Sequence, residues 1–163
     1  MAAENETTEA ETTEVETTEV EITQEERLLA SLAHASIILN MMGPIAGLLI
    51  YITQKEKSAY VARQALQATL YQLAGVIALI IAWSCWGVFY SLTLIPLIAD
   101  ADKYNDAPPP IFWIGMCSMI CPFIVMGAWF VYGLYGGVRT WTGREFRYAL
   151  VGRMVEGRLA GEA

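Results

Sequence analysis

Gly75-Val76-Ile77-Ala78-Leu79-Ile80-Ile81-Ala82-Trp83 is apolar on every side. It lies within Ala65–Ala99, thirty-five residues without one Asp, Glu, Lys or Arg. A helix of a soluble domain keeps one polar face, whereas crossing hydrocarbon takes about 20 consecutive apolar residues. The stretch is therefore read as a membrane span. Two further uncharged runs, Leu28–Ile52 and Ile111–Val138, flank it. The fold expected is an all-α membrane protein with three transmembrane helices, at about 28–52, 68–90 and 111–138. Residues 1–25 form a disordered Glu/Thr-rich tail, 26–158 the three-span membrane domain with an amphipathic C-terminal segment, and 159–163 the C-terminal end.

The chain has 163 residues, 55% of them hydrophobic, and a formal charge of -7. That charge is unevenly spread. Met1–Glu26 holds ten Glu and no Lys or Arg, whereas Arg27–Ala163 holds ten basic and seven acidic residues. Residues 6–25 repeat with a period of five, one apolar residue among like charges in each unit, too little to offset chain entropy. The basic residues lie beside apolar runs and form no separate basic domain, so a nucleic-acid partner is not expected. Cys85, Cys117 and Cys121 all fall in apolar runs and read as small buried fillers. Cys117 and Cys121 share a helix face by spacing, but no His or carboxylate stands near them to complete a metal site.

Thr23-Gln24-Glu25-Glu26 has the Ser/Thr-x-x-Glu form of a capping box and starts a helix near Gln24. Gly43-Pro44 falls inside the first apolar run. Proline lacks the backbone donor and clashes with the turn before it, so a kink is expected near Asn40, whose amide would meet a freed carbonyl. Thr53–Lys57 is a short polar connection, and Ser58 caps a helix that runs to about Leu97. Of that helix, Ala59–Gln67 is assigned to the inner surface, Ala68–Tyr90 to the crossing and the rest to the far interface. Asp100–Pro110, with three Asp and a proline run, is an exposed loop. Read as a helix after Gly143, the C-terminal segment puts Phe146, Leu150 and Met154 on one side as a surface-lying element.

Lys and Arg accumulate on the cytoplasmic side of short loops. With three spans, Lys55, Lys57, Arg63, Arg139, Arg144, Arg147, Arg153 and Arg158 form the membrane-surface basic group on one side, with Arg27 and Lys103 opposite. This sets the N-terminus outside and the C-terminus inside a bacterial cytoplasmic membrane. A four-crossing arrangement would need a further turn within 91–96 and would divide the basic group.

The polar residues inside these runs are His34, Asn40, Gln64, Gln67 and Tyr71. Such groups face a bundle interior and are functional candidates by default. Gln64, Gln67 and Tyr71 follow i, i+3, i+7 spacing and form one stripe towards the first span. His34, the single histidine, is read as bonding across to Gln64, Gln67 or Gln72. A pore or proton relay and direct catalysis are its other readings. No carboxylate lies within a span, and neither a Gly-x-Ser-x-Gly, a phosphate loop nor a paired-carboxylate motif appears, so catalytic, cofactor and metal residues are each expected to be none.

The chain resembles a bacterial domain-of-unknown-function family of small multi-pass membrane proteins, Tic-twenty-like, related to the chloroplast inner-envelope import translocon component. Glu26-Arg27, Ala30, Leu32-Ala33-His34, Ser36 and Gly43-Pro44 carry the first part of the likeness. Ser58, Tyr60-Val61, Ala65 and Gln67-Ala68 carry the second, with Gln64 where histidine is usual. Gly143, Phe146, Tyr148 and Gly152 carry the third, with Ala149 in place of proline. The resemblance implies a helical membrane fold and a translocon-like or accessory role, and no reaction. The function expected is a non-enzymatic accessory or scaffold subunit of a membrane complex. The alternative is a channel or small transporter built by oligomerisation. The partners expected are the bilayer and other membrane subunits or further copies.

Overall fold

The computed structural model describes residues 22–149, 151–153 and 155. The expected disordered tail, apart from its last four residues, lies outside them, as does Arg158. Among the described residues the chain is all-α, with no strand. Three helical segments are long and apolar enough to cross a membrane: Gln24–Gln54, Ala59–Ala99 and Pro110–Trp141.

Helix α1, Gln24–Ala35, begins where Thr23 and Glu26 close the capping box, each side chain taking the other's backbone amide. It gives way to a tight 3₁₀ segment, Ser36–Met42, before α2, Gly43–Gln54. Asn40 inside the break has φ 54° and ψ -116°, a backbone that non-glycine residues rarely adopt. The break expected from Gly43-Pro44 is thus present, and it is a reversal rather than a bend. Going in, Glu26 meets Ser58, His34 meets Gln64 and Ser36 meets Gln72. Coming back, Gly43 presses on Gln72 and Gly47 on Thr69. Ser58 then donates its backbone N–H to Gln54 O across the short turn. Both ends of Gln24–Gln54 therefore stand level with Ser58, Ser36 and Gly43 stand level with Gln72, and the tip at Asn40 and Met41 reaches a cleft beside Val76, Leu79 and Ile80.

Helix α3, Ala59–Ala99, is capped by the Ser58 hydroxyl on Val61 N and runs unbroken for 41 residues, roughly 60 Å. Its last part continues as helix, with Pro96 in the final turn. Asp100–Pro109 contains one 3₁₀ turn, Ala101–Tyr104. The chain returns as α4, Pro110–Cys117, and α5, Ile120–Trp141. This return is antiparallel to α3: Gly115 lies on Thr93, Phe123 on Trp83, Trp129 on Gly75 and Gly133 on Tyr71. A Cβ at Gly75 would fall inside the Trp129 indole, so hydrogen is the largest group this contact admits.

At the end of α5, Gly143 turns the chain with φ +75° while a Cβ there would also meet the Arg27 guanidinium. Residues 144–148 form neither helix nor strand, and 151–153 and 155 are helical, so the helix expected just after Gly143 starts later. Phe146 and Tyr148 are buried, and Glu145 and Arg147 before and between them are exposed. These two rings enter the bundle instead of lying on a membrane surface. Val151 and Val155 continue the burial; Leu150 and Met154 lie outside the described residues. The core thus sits at one end, hereafter the near end, where α1, α2, the start of α3, the end of α5 and the C-terminal segment meet.

Three straight spans would set the start and the end of the described residues at opposite ends of the bundle, whereas the structure brings them together at one end. Arg27 packs on Gly143, and Arg63 near the start of α3 pairs with Glu145. A straight first span would have carried Glu26 away from Ser58; the reversal at Ser36–Met42 returns them to one end.

Filling the Gly75 contact tests the packing of α5 on α3. Gly75→Leu is expected to destabilise the detergent-solubilised protein by about 1–3 kcal/mol through overpacking, read as a lower thermal midpoint. Gly127→Ala, where a Cβ meets nothing within 4 Å, leaves the midpoint unchanged.

Candidate functional site

The polar side chains inside the bundle gather at the near end in two connected groups. In the first, His34 is fully buried between α3 and the C-terminal segment. Its Nε2 lies 3.1 Å from Gln64 Oε1 and its Nδ1 lies 2.9 Å from the Tyr148 hydroxyl. A carbonyl oxygen only accepts, so Nε2 carries the proton, and the Tyr148 hydroxyl donates to Nδ1. Both ring nitrogens of a neutral imidazole are thereby used. The Tyr148 ring stacks on Tyr71 at 3.9 Å and 5°, and Phe146 meets the histidine edge-on. Burial pushes the Tyr148 phenol well above the ordinary tyrosine value, and the neighbouring Tyr71 and Tyr132 phenols push it further.

In the second group, the Ser36 hydroxyl reaches Ala33 O at 2.7 Å and Gly43 O at 3.1 Å. The Gln72 amide nitrogen donates to Ala33 O at 3.0 Å and to Ser36 Oγ at 3.1 Å. Both side chains meet Ala33 O, in the last turn of α1, where the break leaves carbonyls without an intrahelical donor. Asn40, expected to do so, is exposed at the tip and takes no part.

Tyr71 does not face the first span. Its hydroxyl donates to Trp129 O at 2.7 Å on α5, because position 71 lies two turns further along α3 than Gln64, where the returning helix packs. Gln67 is fully buried on the same helix, and neither atom of its amide has a hydrogen-bond partner among the described residues. The predicted stripe therefore divides: Gln64 serves α1, Tyr71 serves α5, and Gln67 lies beneath the C-terminal segment near Gly152. Gly133, Gly136 and Gly137 face Ile37, Phe146 and His34, whereas Gly127 faces open space.

Outside this interior, a cleft of about 480 Å³ opens at the near end between Glu26, Ser58, Tyr60, Arg63 and Glu145. Lys55 and Lys57 are exposed on the turn before α3, and Arg144 and Arg153 on the C-terminal segment. Arg139 lies over the Tyr135 ring, 5.9 Å from its centroid, and Arg147 is 3.9 Å from Glu145.

The three cysteines are exposed, which corrects their reading as buried fillers: they face outward from the far half of α3, α4 and α5. The antiparallel register brings Cys121 to a cleft with Cys85, not with Cys117. Tyr148 and Gln72 are the partners that matter most to the polar groups. Tyr148 was visible as an aromatic in the tail and as part of a motif, but not as a partner of His34, because that contact spans 114 positions.

The sequence model of the magnetosome magnetite crystal formation protein family, MamF/MmsF, matches residues 25–155. The chain belongs to this family. The finding overturns the Tic-twenty-like assignment: the residues quoted for that likeness, from Glu26 to Gly152, all fall inside the MamF/MmsF match. No curated protein and no solved structure matches the chain. As a MamF/MmsF member with three long apolar segments, it is a multi-pass membrane protein of a family involved in magnetite crystal formation.

The His34 contacts carry a measurable weight. Tyr148→Phe keeps the ring packing and removes the donor to Nδ1, with an expected loss of about 1 kcal/mol in detergent unfolding. Because the folded phenol titrates above its unfolded value, its contribution is constant below about pH 10 and declines above it, as the unfolded state ionises first. Tyr148→Phe is expected to lessen that alkaline decline; an unchanged pH profile would contradict the burial of this hydroxyl.

Proposed function

We propose that the protein is a non-enzymatic scaffold or accessory subunit of the membrane in which magnetite crystals form. The observation that carries this reading is the use made of the intramembrane polar groups. His34 is held at both nitrogens, Ser36 and Gln72 close the hairpin tip, and Tyr71 ties α3 to α5. Chemistry needs a group with a free position for substrate, and these four side chains are spent on helix contacts, whereas the fully buried Gln67 amide has no hydrogen-bond partner among the described residues. Much of the outer surface is apolar, including Leu48, Ile77, Ile81, Ile124 and Val131, and offers lateral contact to lipid, to other membrane subunits or to further copies. A channel or small transporter built around His34, Gln64 and Gln67 has the buried, doubly bonded imidazole against it.

Two measurements test the reading. From native membranes in mild detergent, the chain is expected to migrate with another subunit or another copy; a monodisperse monomer opposes a scaffold. In a deletion strain of a magnetite-forming bacterium, the Cys85→Ser, Cys117→Ser, Cys121→Ser variant is expected to restore crystals as the unaltered chain does. Crystals lost with a stably inserted triple variant point instead to thiol chemistry and overturn the non-enzymatic assignment.

A further inference from the structure

We infer that α1 and α2 form a re-entrant hairpin that enters and leaves the bilayer by one face, while α3 and the α4–α5 pair cross it. The start of the helical domain and its Arg-rich end then share one side. Each limb of the hairpin has 12 residues, about 18 Å of helix, against roughly 30 Å of hydrocarbon. Neither limb reaches the other face, and the contacts of Glu26 with Ser58 and of Gly43 with Gln72 fix their direction.

Lipid surrounds the hairpin, because its outward side chains are large and apolar: Leu28, Leu32, Leu39, Met42, Ile45 and Leu49 are each more than two-fifths exposed. A reversal at this depth releases backbone carbonyls that hydrocarbon cannot satisfy. Ser36 and Gln72 both meet one of them, Ala33 O in the last turn of α1, from within the bundle.

The charge pattern agrees. Among the described residues, every Lys and Arg except Lys103 stands at the near end, and Lys103 shares the far connection with Asp100, Asp102 and Asp106. Three straight spans place Arg27 on the far side, against the rule that Lys and Arg collect in the cytoplasm. The hairpin moves it to its fellows, which assigns the near end to the cytoplasmic face.

The test uses full-length protein with Cys85, Cys117 and Cys121 changed to Ser and one cysteine returned as Gln24→Cys, Lys55→Cys or Asp106→Cys, all exposed positions. Sealed inverted and right-side-out vesicles are treated with a membrane-impermeant maleimide. Gln24→Cys and Lys55→Cys are expected to label in inverted vesicles and to be protected in right-side-out ones, with Asp106→Cys the reverse. An epitope at the N-terminus of the chain with its native cysteines, read by antibody in the same vesicles, follows Gln24 and guards against misinsertion of the variants. Gln24→Cys and Lys55→Cys labelling from opposite faces, or both only from outside, overturns the inference.

Discussion

A helix that reverses inside an apolar surrounding releases carbonyls with no water to receive them, and each one left bare costs several kcal/mol. Here two side chains carry that constraint. Ser36 bridges Ala33 O and Gly43 O across the turn, and Gln72 reaches from α3 to Ala33 O. Because Gln72 belongs to a different helix, the tip is stable only when docked on α3. The local break and the tertiary contact are one event, and the placement of α1, of His34 and of the chain's beginning follows from it.

That docking divides the molecule into unequal halves. Around residues 58–72 of α3 lie both limbs of the hairpin, the end of α5 and the C-terminal segment, and the fully buried side chains Ala33, His34, Val61, Gln64, Ala65, Gln67 and Ala68 are here. Beyond Gly75, apart from the hairpin tip at Asn40 and Met41, α4 and α5 accompany α3 through aromatic contacts such as Trp83 with Phe123 and Tyr90 with Phe112. Ile77, Ile80, Ile81 and Val88 remain outward. Polar specificity is concentrated where many elements meet. The two-helix half is left to shape and to lipid, as expected where lipid tails are as apolar as leucine.

Much of this was legible in the residues and some was not, for physical reasons. The capping box at Thr23 and Glu26, the Ser58 cap, the uncharged runs and the break near Asn40 are local, so composition and spacing display them. Direction is not local. An apolar run records that lipid is near on all sides and does not record whether the chain goes through or returns, since both satisfy the same hydropathy. The reversal depends on Gln72 meeting Ser36 across 36 positions. Likewise the Gln64, Gln67, Tyr71 spacing correctly placed three polar residues near one another on α3, yet a stripe of that width touches two neighbours. Which neighbour each residue serves was decided by α5 and by Tyr148. The C-terminal segment was expected to be helical from just after Gly143, whereas 144–148 are not helical and helix appears at 151–153 and 155; Phe146 and Tyr148, two apart, are both buried before it begins.

The bounds of the family match coincide with the bounds of this packing. It begins at Glu25, in the first turn of α1, and ends at Val155, which is fully buried against the bundle. The Glu-rich repeats before Glu25 lie outside it. The reversal, the histidine contacts and the returning C-terminal segment of this chain all fall within the matched residues, while the capping residue Thr23 stands just before them. Tyr148 explains why so distant a segment belongs to the same unit. With its hydroxyl on His34 and its ring on Tyr71, it bonds α1 and stacks on α3 at once, so the hairpin and the end of the chain hold one another in place.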